Sequence, residues 1–235
     1  MKKLRISNIK LNSLFMSNKQ IPQLRGAISS KFIDNDLFHN HSSSGELIYR
    51  SPLVQYKVIN KTPLIQVICR EDLSNEFNNA VKRLFSNLDN IRLGNKNKKI
   101  DEKSIEFIDE SIGVSENIET YKIISPMILF NEKNYKRYNS LNIKEKILMV
   151  EKSISNHILS LFDKDYHGKG LVVENIKERV FVSLLDFKQG SIVFKKVRYI
   201  TILGSFSCNV YLPQYLSIGR KKAFGFGTLK RFTLP

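Results

Sequence analysis

Two short stretches of this chain carry residue types that move protons and hold phosphate. In Asp36-Leu37-Phe38-His39-Asn40-His41-Ser42-Ser43-Ser44-Gly45, two of the four histidines fall within three residues. An imidazole titrates at about pH 6.5, so it can accept or donate a proton in neutral water. His39 and His41 could therefore act as the base and acid of one transfer reaction. Tyr49 follows and could orient a reacting group through its hydroxyl. The second stretch is Gly219-Arg220-Lys221-Lys222-Ala223-Phe224-Gly225-Phe226-Gly227. Glycines permit positive φ and close approach of the backbone, and consecutive cations offer donors to phosphate oxygens. Such a loop can cradle a nucleic-acid backbone without reading its sequence. It lacks the Gly-Lys-Ser or Gly-Lys-Thr ending of a nucleotide-hydrolase phosphate loop.

Each stretch also has a plainer reading. The histidine loop fits a solvated turn as well as a site, and Tyr49 fits strand packing. A turn between two strands would account for Gly219, Gly225 and Gly227, but it leaves the clustered Arg220, Lys221 and Lys222 without explanation. A metal is not expected, because His-x-His needs further ligands and no Cys, His or carboxylate cluster stands nearby. No other cofactor is expected. His157 lies beside an apolar helical stripe and reads as structural, while His167 sits in a polar loop with no further support.

Composition says what these loops would meet. Lys and Arg number 38 against 22 Asp and Glu, a formal net charge of +16 with a sequence pI near 9.8. Such a chain seeks polyanions, and with 42% hydrophobic residues it can build a core. No stretch reads as a membrane span or a signal region, so a cytoplasmic protein without membrane attachment is expected. Cys69 and Cys208 stand apart in apolar runs and read as reduced core thiols. Lys195, Lys196, Arg198, Lys230, Arg231 and the loop Asn95 to Lys99 add charge that is solvated surface or RNA contact.

The elements that must position the two loops follow from periodicity. Lys3 to Leu11 alternates as a strand, and a helix with Pro22 in its first turn carries Ile21, Leu24, Ile28 and Phe32 on one face. Strands Leu47 to Ile59 and Pro63 to Cys69 flank the turn Asn60-Lys61. A second helix aligns Leu73, Phe77, Val81, Leu84 and Leu88, and a strand within Glu106 to Val114 completes a β-α-β-β-α-β order. Past a polar stretch near Glu116, a strand over Thr120 to Phe130 leads into a loop, Asn131 to Ser140. A helix then starts at the capping box Asn142 and Glu145, with Ile143, Ile147, Val150, Ile154, Ile158 and Leu161 on its stripe. Strands Val180 to Phe187 and Ile192 to Leu203 flank Lys188-Gln189-Gly190, and Phe206, Cys208, Val210 and Leu212 alternate after them. The fold class expected is α+β, two tandem ferredoxin-like (RRM-like) domains divided as 1–116 and 117–235, the second without an obvious late helix.

Four segments, in this order, resemble one family. Leu24-Arg25-Gly26, Asp36 to His41, Ile48-Tyr49-Arg50-Ser51-Pro52-Leu53-Val54-Gln55-Tyr56-Lys57 and the C-terminal glycine-rich loop look like the repeat-processing Cas-six endoribonucleases of the RAMP superfamily. The resemblance is densest over the first seventy or so residues and the last twenty. It implies metal-independent cleavage of CRISPR repeat RNA into guide crRNAs: a 2′-hydroxyl attacks the adjacent phosphate and leaves a 2′,3′-cyclic phosphate and a 5′-hydroxyl. It makes His39 and His41 the acid and base in unassigned order, and Tyr49 an assisting residue. Arg220, Lys221 and Lys222 with Gly219, Gly225 and Gly227 become the RNA cradle. At the start of the cradle the chain departs from the family's paired Gly-x-Gly, because Ser217 stands before Gly219. The partners implied are CRISPR repeat RNA, with an interference complex and a homodimer as further options. The rival readings are a catalytically inactive RNA-binding subunit of such a complex and an unrelated basic protein that needs neither histidine.

Overall fold

The computed structural model of the chain describes residues 1–32, 51–69, 74–163, 170–173, 176 and 180–232. Strand β1 (Lys2–Lys10) leads to helix α1 (Ile21–Lys31), which carries Pro22 in its first turn as read and buries Ile21, Leu24 and Ile28. Strands β2 (Val54–Ile59) and β3 (Thr62–Cys69) form a hairpin whose turn residues Asn60 and Lys61 have φ of 50° and 67°. Two left-handed residues give the turn a twist that matches its flanking strands. Helix α2 (Ser74–Ser86) buries Phe77, Val81 and Leu84, and Leu88 is buried just beyond its end. A small hairpin, β4 (Asn90–Leu93) and β5 (Lys96–Lys99), takes the place of the loop expected at Asn95 to Lys99.

Strand β6 (Ser104–Met127) corrects the reading of two strands around a polar stretch, because one 24-residue strand runs through both. Residues 104–112 pair with β1, and the later half pairs antiparallel with β10 (Val197–Tyr211) and β11 (Leu229–Phe232). The polar residues near Glu116 form a bulge: the pairing jumps from Glu119 opposite Cys208 to Val114 opposite Val210. An insertion of this kind keeps a strand continuous while turning its side chains out of the core. The sheet order β2-β3-β1-β6 is that of a ferredoxin-like unit. The second unit repeats it as β11-β6-β10-β9, with β9 spanning Val182–Phe194. The fold is thus α+β, two tandem ferredoxin-like units that share β6.

The second unit departs from the sequence reading at three points. Asn131 to Ser140, expected to be a loop, contains helix α3 (Glu132–Ser140), capped by the Asn131 side chain, which accepts from Asn134 N at 2.9 Å. Its only inward period is Tyr135 with Tyr138, too few apolar residues to register as a helix. Helix α4 (Ile143–Leu159) begins at the expected capping box of Asn142 and Glu145, then reaches a short parallel pair, β7 (Phe162–Asp163) with β8 (Val172–Val173). The turn expected at Lys188 to Gly190 lies instead at Lys195 and Lys196, with φ of 50° and 65°, and β9 runs straight through Gly190 opposite Thr201. Two lysines adopt a conformation that glycine or asparagine usually signals, so the turn left no mark. The turn cuts the segment read as 192–203, and its part from Val197 joins the segment read as 206–212 in one strand, β10.

No late helix follows β10. Residues 212–228 fill its place as a packed segment with a 3₁₀ turn at Lys222–Phe224. A buried polar row bonds this segment to the first unit. The Lys57 amine donates to the side-chain carbonyls of Gln55 at 2.8 Å and Gln66 at 2.9 Å. Ser217 N donates to Gln55 Oε1 at 3.0 Å, and Gln66 Nε2 donates to Gln214 O at 3.0 Å and to Asn8 Oδ1 at 3.2 Å. Lys57 is only 1% exposed. Close backbone approaches finish the packing: at Gly225 (φ 73°) a Cβ would lie 2.5 Å from Tyr56 O, and at Gly227 (φ 69°) 2.0 Å from Ile218 O.

Burial holds the Lys57 amine well below its ordinary value of 10.5. Between that lowered value and 10.5 the unfolded chain binds a proton that the folded chain does not, so stability rises with pH through the window and falls as pH drops. Lys57→Met lacks this linkage. Its stability relative to wild type should therefore worsen steadily as pH is raised toward 10, measured by urea unfolding from pH 6 to 10. Gly225→Val forces a side chain against a backbone carbonyl at positive φ and should lower stability by about 2–4 kcal/mol, read from the same titrations.

Candidate nucleic-acid interface

The glycine-rich loop is anchored at both ends, its glycines are buried, and Arg220 and Lys221 are its exposed residues. Arg220 N donates to Ile128 O at 2.7 Å, Gly219 packs over the same carbonyl, and Gly227 N donates to Pro126 O at 3.1 Å. Beneath it, Ser125 Oγ donates to Gly225 O at 2.6 Å and accepts from Thr228 N at 2.8 Å, while Thr228 Oγ1 donates to Gly225 O at 2.9 Å. These buried hydroxyls hold the loop in one conformation without a helix. Pre-organised backbone and cations are what a phosphate cradle requires.

The three cations of the loop do not share one environment. Arg220 and Lys221 are exposed, the latter in the left-handed conformation at the start of the 3₁₀ turn. Lys222 turns inward and donates to Ser51 Oγ at 3.0 Å, and burial brings its amine down to about 8. Ser51 is itself buried, and it follows Tyr49 by two positions in the sequence. The structure thus brings the loop to the point where the described chain resumes after the histidine stretch. His39, His41 and Tyr49 lie outside the described residues, as does His167.

Residues that periodicity did not single out complete the surface. The Arg25 guanidinium of α1 lies over the Phe224 ring, 4.5 Å from its centroid, and the Lys195 amine lies 5.5 Å from the same centroid. Phe194, at the end of β9, meets Phe224 and Phe226 edge-on, with centroids 5.0 and 5.3 Å apart. Cations stacked on aromatic faces keep their charge while losing freedom of movement. The cluster therefore fastens the β9–β10 turn, α1 and the glycine-rich loop to one another and holds Arg25 and Lys195 against the Phe224 ring of that loop. Arg25 had a signal only in the Leu24-Arg25-Gly26 resemblance; the Phe194 contacts had none, since they depend on where a turn falls.

His157 is half-buried on α4, and its Nε2 lies 3.1 Å from Leu129 O. Burial first, and then the nearby Lys222 and Arg220, lower its pKa from the ordinary value, against the Leu129 hydrogen bond. A neutral imidazole in this place ties α4 to the end of β6 behind the loop, in keeping with a structural role. Among the described residues no helix is long and apolar enough to cross a membrane.

Comparisons with known proteins bear on the whole chain. An uncharacterised protein of Methanocaldococcus jannaschii is 37% identical over 123 residues, which is 52% of this chain and 78% of that one. A crystal structure of Cas6b superposes with a TM-score of 0.86 at 26% identity, covering 98% of this chain and all of the other. A structure described as the CRISPR RNA processing endoribonuclease Cas6b superposes with a TM-score of 0.72 at 23% identity, over the same shares. Residues 2–111 match the profile of the Cas6b N-terminal domain and residues 113–232 that of the Cas6b C-terminal domain. Since the two profiles together run from β1 to β11 and meet inside β6, the chain belongs to the Cas6b family.

Proposed function

We propose that this protein is an endoribonuclease that cleaves CRISPR repeat RNA to release guide crRNAs, without a metal in the chemical step. In this reading the 2′-oxygen next to the cut attacks the phosphorus and the 5′-oxygen leaves, giving a 2′,3′-cyclic phosphate and a 5′-hydroxyl. His39 and His41 remove the proton from the 2′-hydroxyl and supply one to the 5′-oxygen, and Tyr49 orients the reacting phosphate. Arg220 and Lys221 receive the RNA backbone, on a loop whose shape the buried Gly219, Gly225 and Gly227 set by close packing. Lys222 contributes from beneath, as the link to the strand that follows Tyr49. The histidine loop belongs to an N-terminal unit, 1–116, and the glycine-rich loop to a C-terminal unit, 117–235.

The observation that carries the reading is the Lys222–Ser51 hydrogen bond at 3.0 Å. Lys222, in the loop suited to phosphate, thus meets a residue 171 positions away that stands ten positions after His41 in the sequence. Family membership and the net charge of +16 support RNA as the substrate.

Labelled repeat RNA, incubated in EDTA, tests the chemistry. His39→Ala and His41→Ala should each slow cleavage by about 10²–10⁴ while leaving RNA affinity within a few-fold, and a 2′-deoxy substitution at the cut site should abolish cleavage by wild type. Tight binding with no cutting by wild type would favour the RNA-holding subunit instead. Lys222 adds a pH signature. Its ammonium loses its proton as pH rises through about 8, so cleavage under saturating RNA should decline above that pH. Lys222→Met should lack this alkaline limb and be slower at pH 7; an unchanged limb in the variant would assign the ionisation elsewhere.

A further inference from the structure

Helix α3 is an unusual element to keep. It has nine residues, below the roughly 12–15 at which an isolated helix becomes even marginally stable, and the one side chain it buries completely is Tyr138. That tyrosine fixes the helix firmly: its ring lies against Phe130 with centroids 4.7 Å apart, its hydroxyl donates to Gln189 Oε1 at 3.1 Å, and the Lys146 amine sits 5.4 Å from its centroid. The opposite face carries Lys133, Lys136 and Arg137, spaced i, i+3 and i+4 and all exposed. Like charges at these spacings weaken a helix by a few tenths of a kcal/mol per pair. Among the described residues, none of the three forms an ion pair with a carboxylate. Folding alone therefore does not account for them.

The helix also stands close to the glycine-rich loop. Ile128 bridges to Arg220, and Lys133 follows Ile128 by five positions, a span of at most about 18 Å. The remaining outward residues are the carboxylate Glu132 at the first turn and the polar Asn134, Asn139 and Ser140, so the face offers no apolar anchor of the kind protein interfaces use. A polyanionic backbone needs no such anchor.

We propose that the outward face of α3 is a second RNA-backbone contact, in which Lys133, Lys136 and Arg137 neutralise phosphates of the repeat beyond those held by Arg220 and Lys221. It rests on the reading of this protein as one that binds repeat RNA. The contact contributes affinity and register, not chemistry.

The test compares three proteins binding labelled repeat RNA across a potassium chloride series: wild type, Lys133→Ala/Lys136→Ala/Arg137→Ala, and a control, Lys3→Ala/Lys10→Ala/Lys82→Ala, that removes the same charge from exposed positions of the first unit. Single-strand contacts contribute about 0.7 each to the slope of log K against log salt, so the α3 variant should lose about 2 from the slope and bind about ten-fold more weakly at moderate salt. Its single-turnover cleavage at saturating RNA should match wild type, and alanine, a strong helix former, should leave its unfolding midpoint unchanged. An unchanged slope in the α3 variant, or an equal loss in the control, overturns the proposal; an unchanged slope would leave the face to an acidic protein partner. Failure of the wild-type protein to bind repeat RNA at all would instead overturn the functional reading beneath it.

Discussion

The arrangement of this molecule depends on a buried amine. Lys57 projects from β2, at the edge of the sheet, into the contact with the segment after β10; its amine donates to two glutamine carbonyls, and among the described residues no carboxylate pairs with it. An ammonium in such a place is costly to desolvate, and burial shifts it toward the neutral form. The same two glutamines, with Asn8, bind the segment that follows β10, through Ser217 N and the Gln214 carbonyl. Removing one member leaves the others buried without partners, which is why a polar row of this kind specifies one packing where an apolar surface would accept several. The glycine-rich loop grows from that segment, so its position relative to the first unit follows from these bonds.

Continuity of β6 supplies the second constraint. Two ferredoxin-like units joined by a flexible linker would be free to change their separation. Here one strand is the last of the first unit and the first of the second, and its later half lies beside the β9–β10 hairpin while its end supports Arg220. The late helix of the second unit gives way to a loop pinned by hydroxyls and close backbone contacts. Replacing a helix with such a loop leaves Arg220 and Lys221 facing solvent at the seam between units, where a helix would have presented a closed cylinder.

Charge is distributed in keeping with that geometry. The carboxylates Glu106, Asp109, Glu110, Glu116 and Glu119 lie along β6, and Arg5 pairs with Asp109. The glycine-rich loop, the turn at Lys195 and Lys196, Arg25 and the outer face of α3 are cationic. The Phe224 ring holds two of these cations, Arg25 and Lys195, in place, which lowers the entropy lost when they meet phosphate.

Local pattern determined much of this by itself. The capping box at Asn142, the stripes of α1, α2 and α4, the left-handed turn at Asn60-Lys61 and the alternation of β1 are short-range physics, so they are legible in a single chain. The β-α-β-β-α-β order followed from them. What depended on partners distant in sequence was not legible. The long strand β6 carries polar residues in a bulge that only the register with β10 explains, and the Lys195-Lys196 turn has no glycine because the paired strands impose its twist. Helix α3 is held by one tyrosine reaching Gln189, a contact 51 residues away that no periodicity encodes. The sequence also made Arg220, Lys221 and Lys222 look alike. Tertiary packing separated them, turning Lys222 inward onto Ser51 while its neighbours face water, because only the folded chain decides which amine loses its solvent.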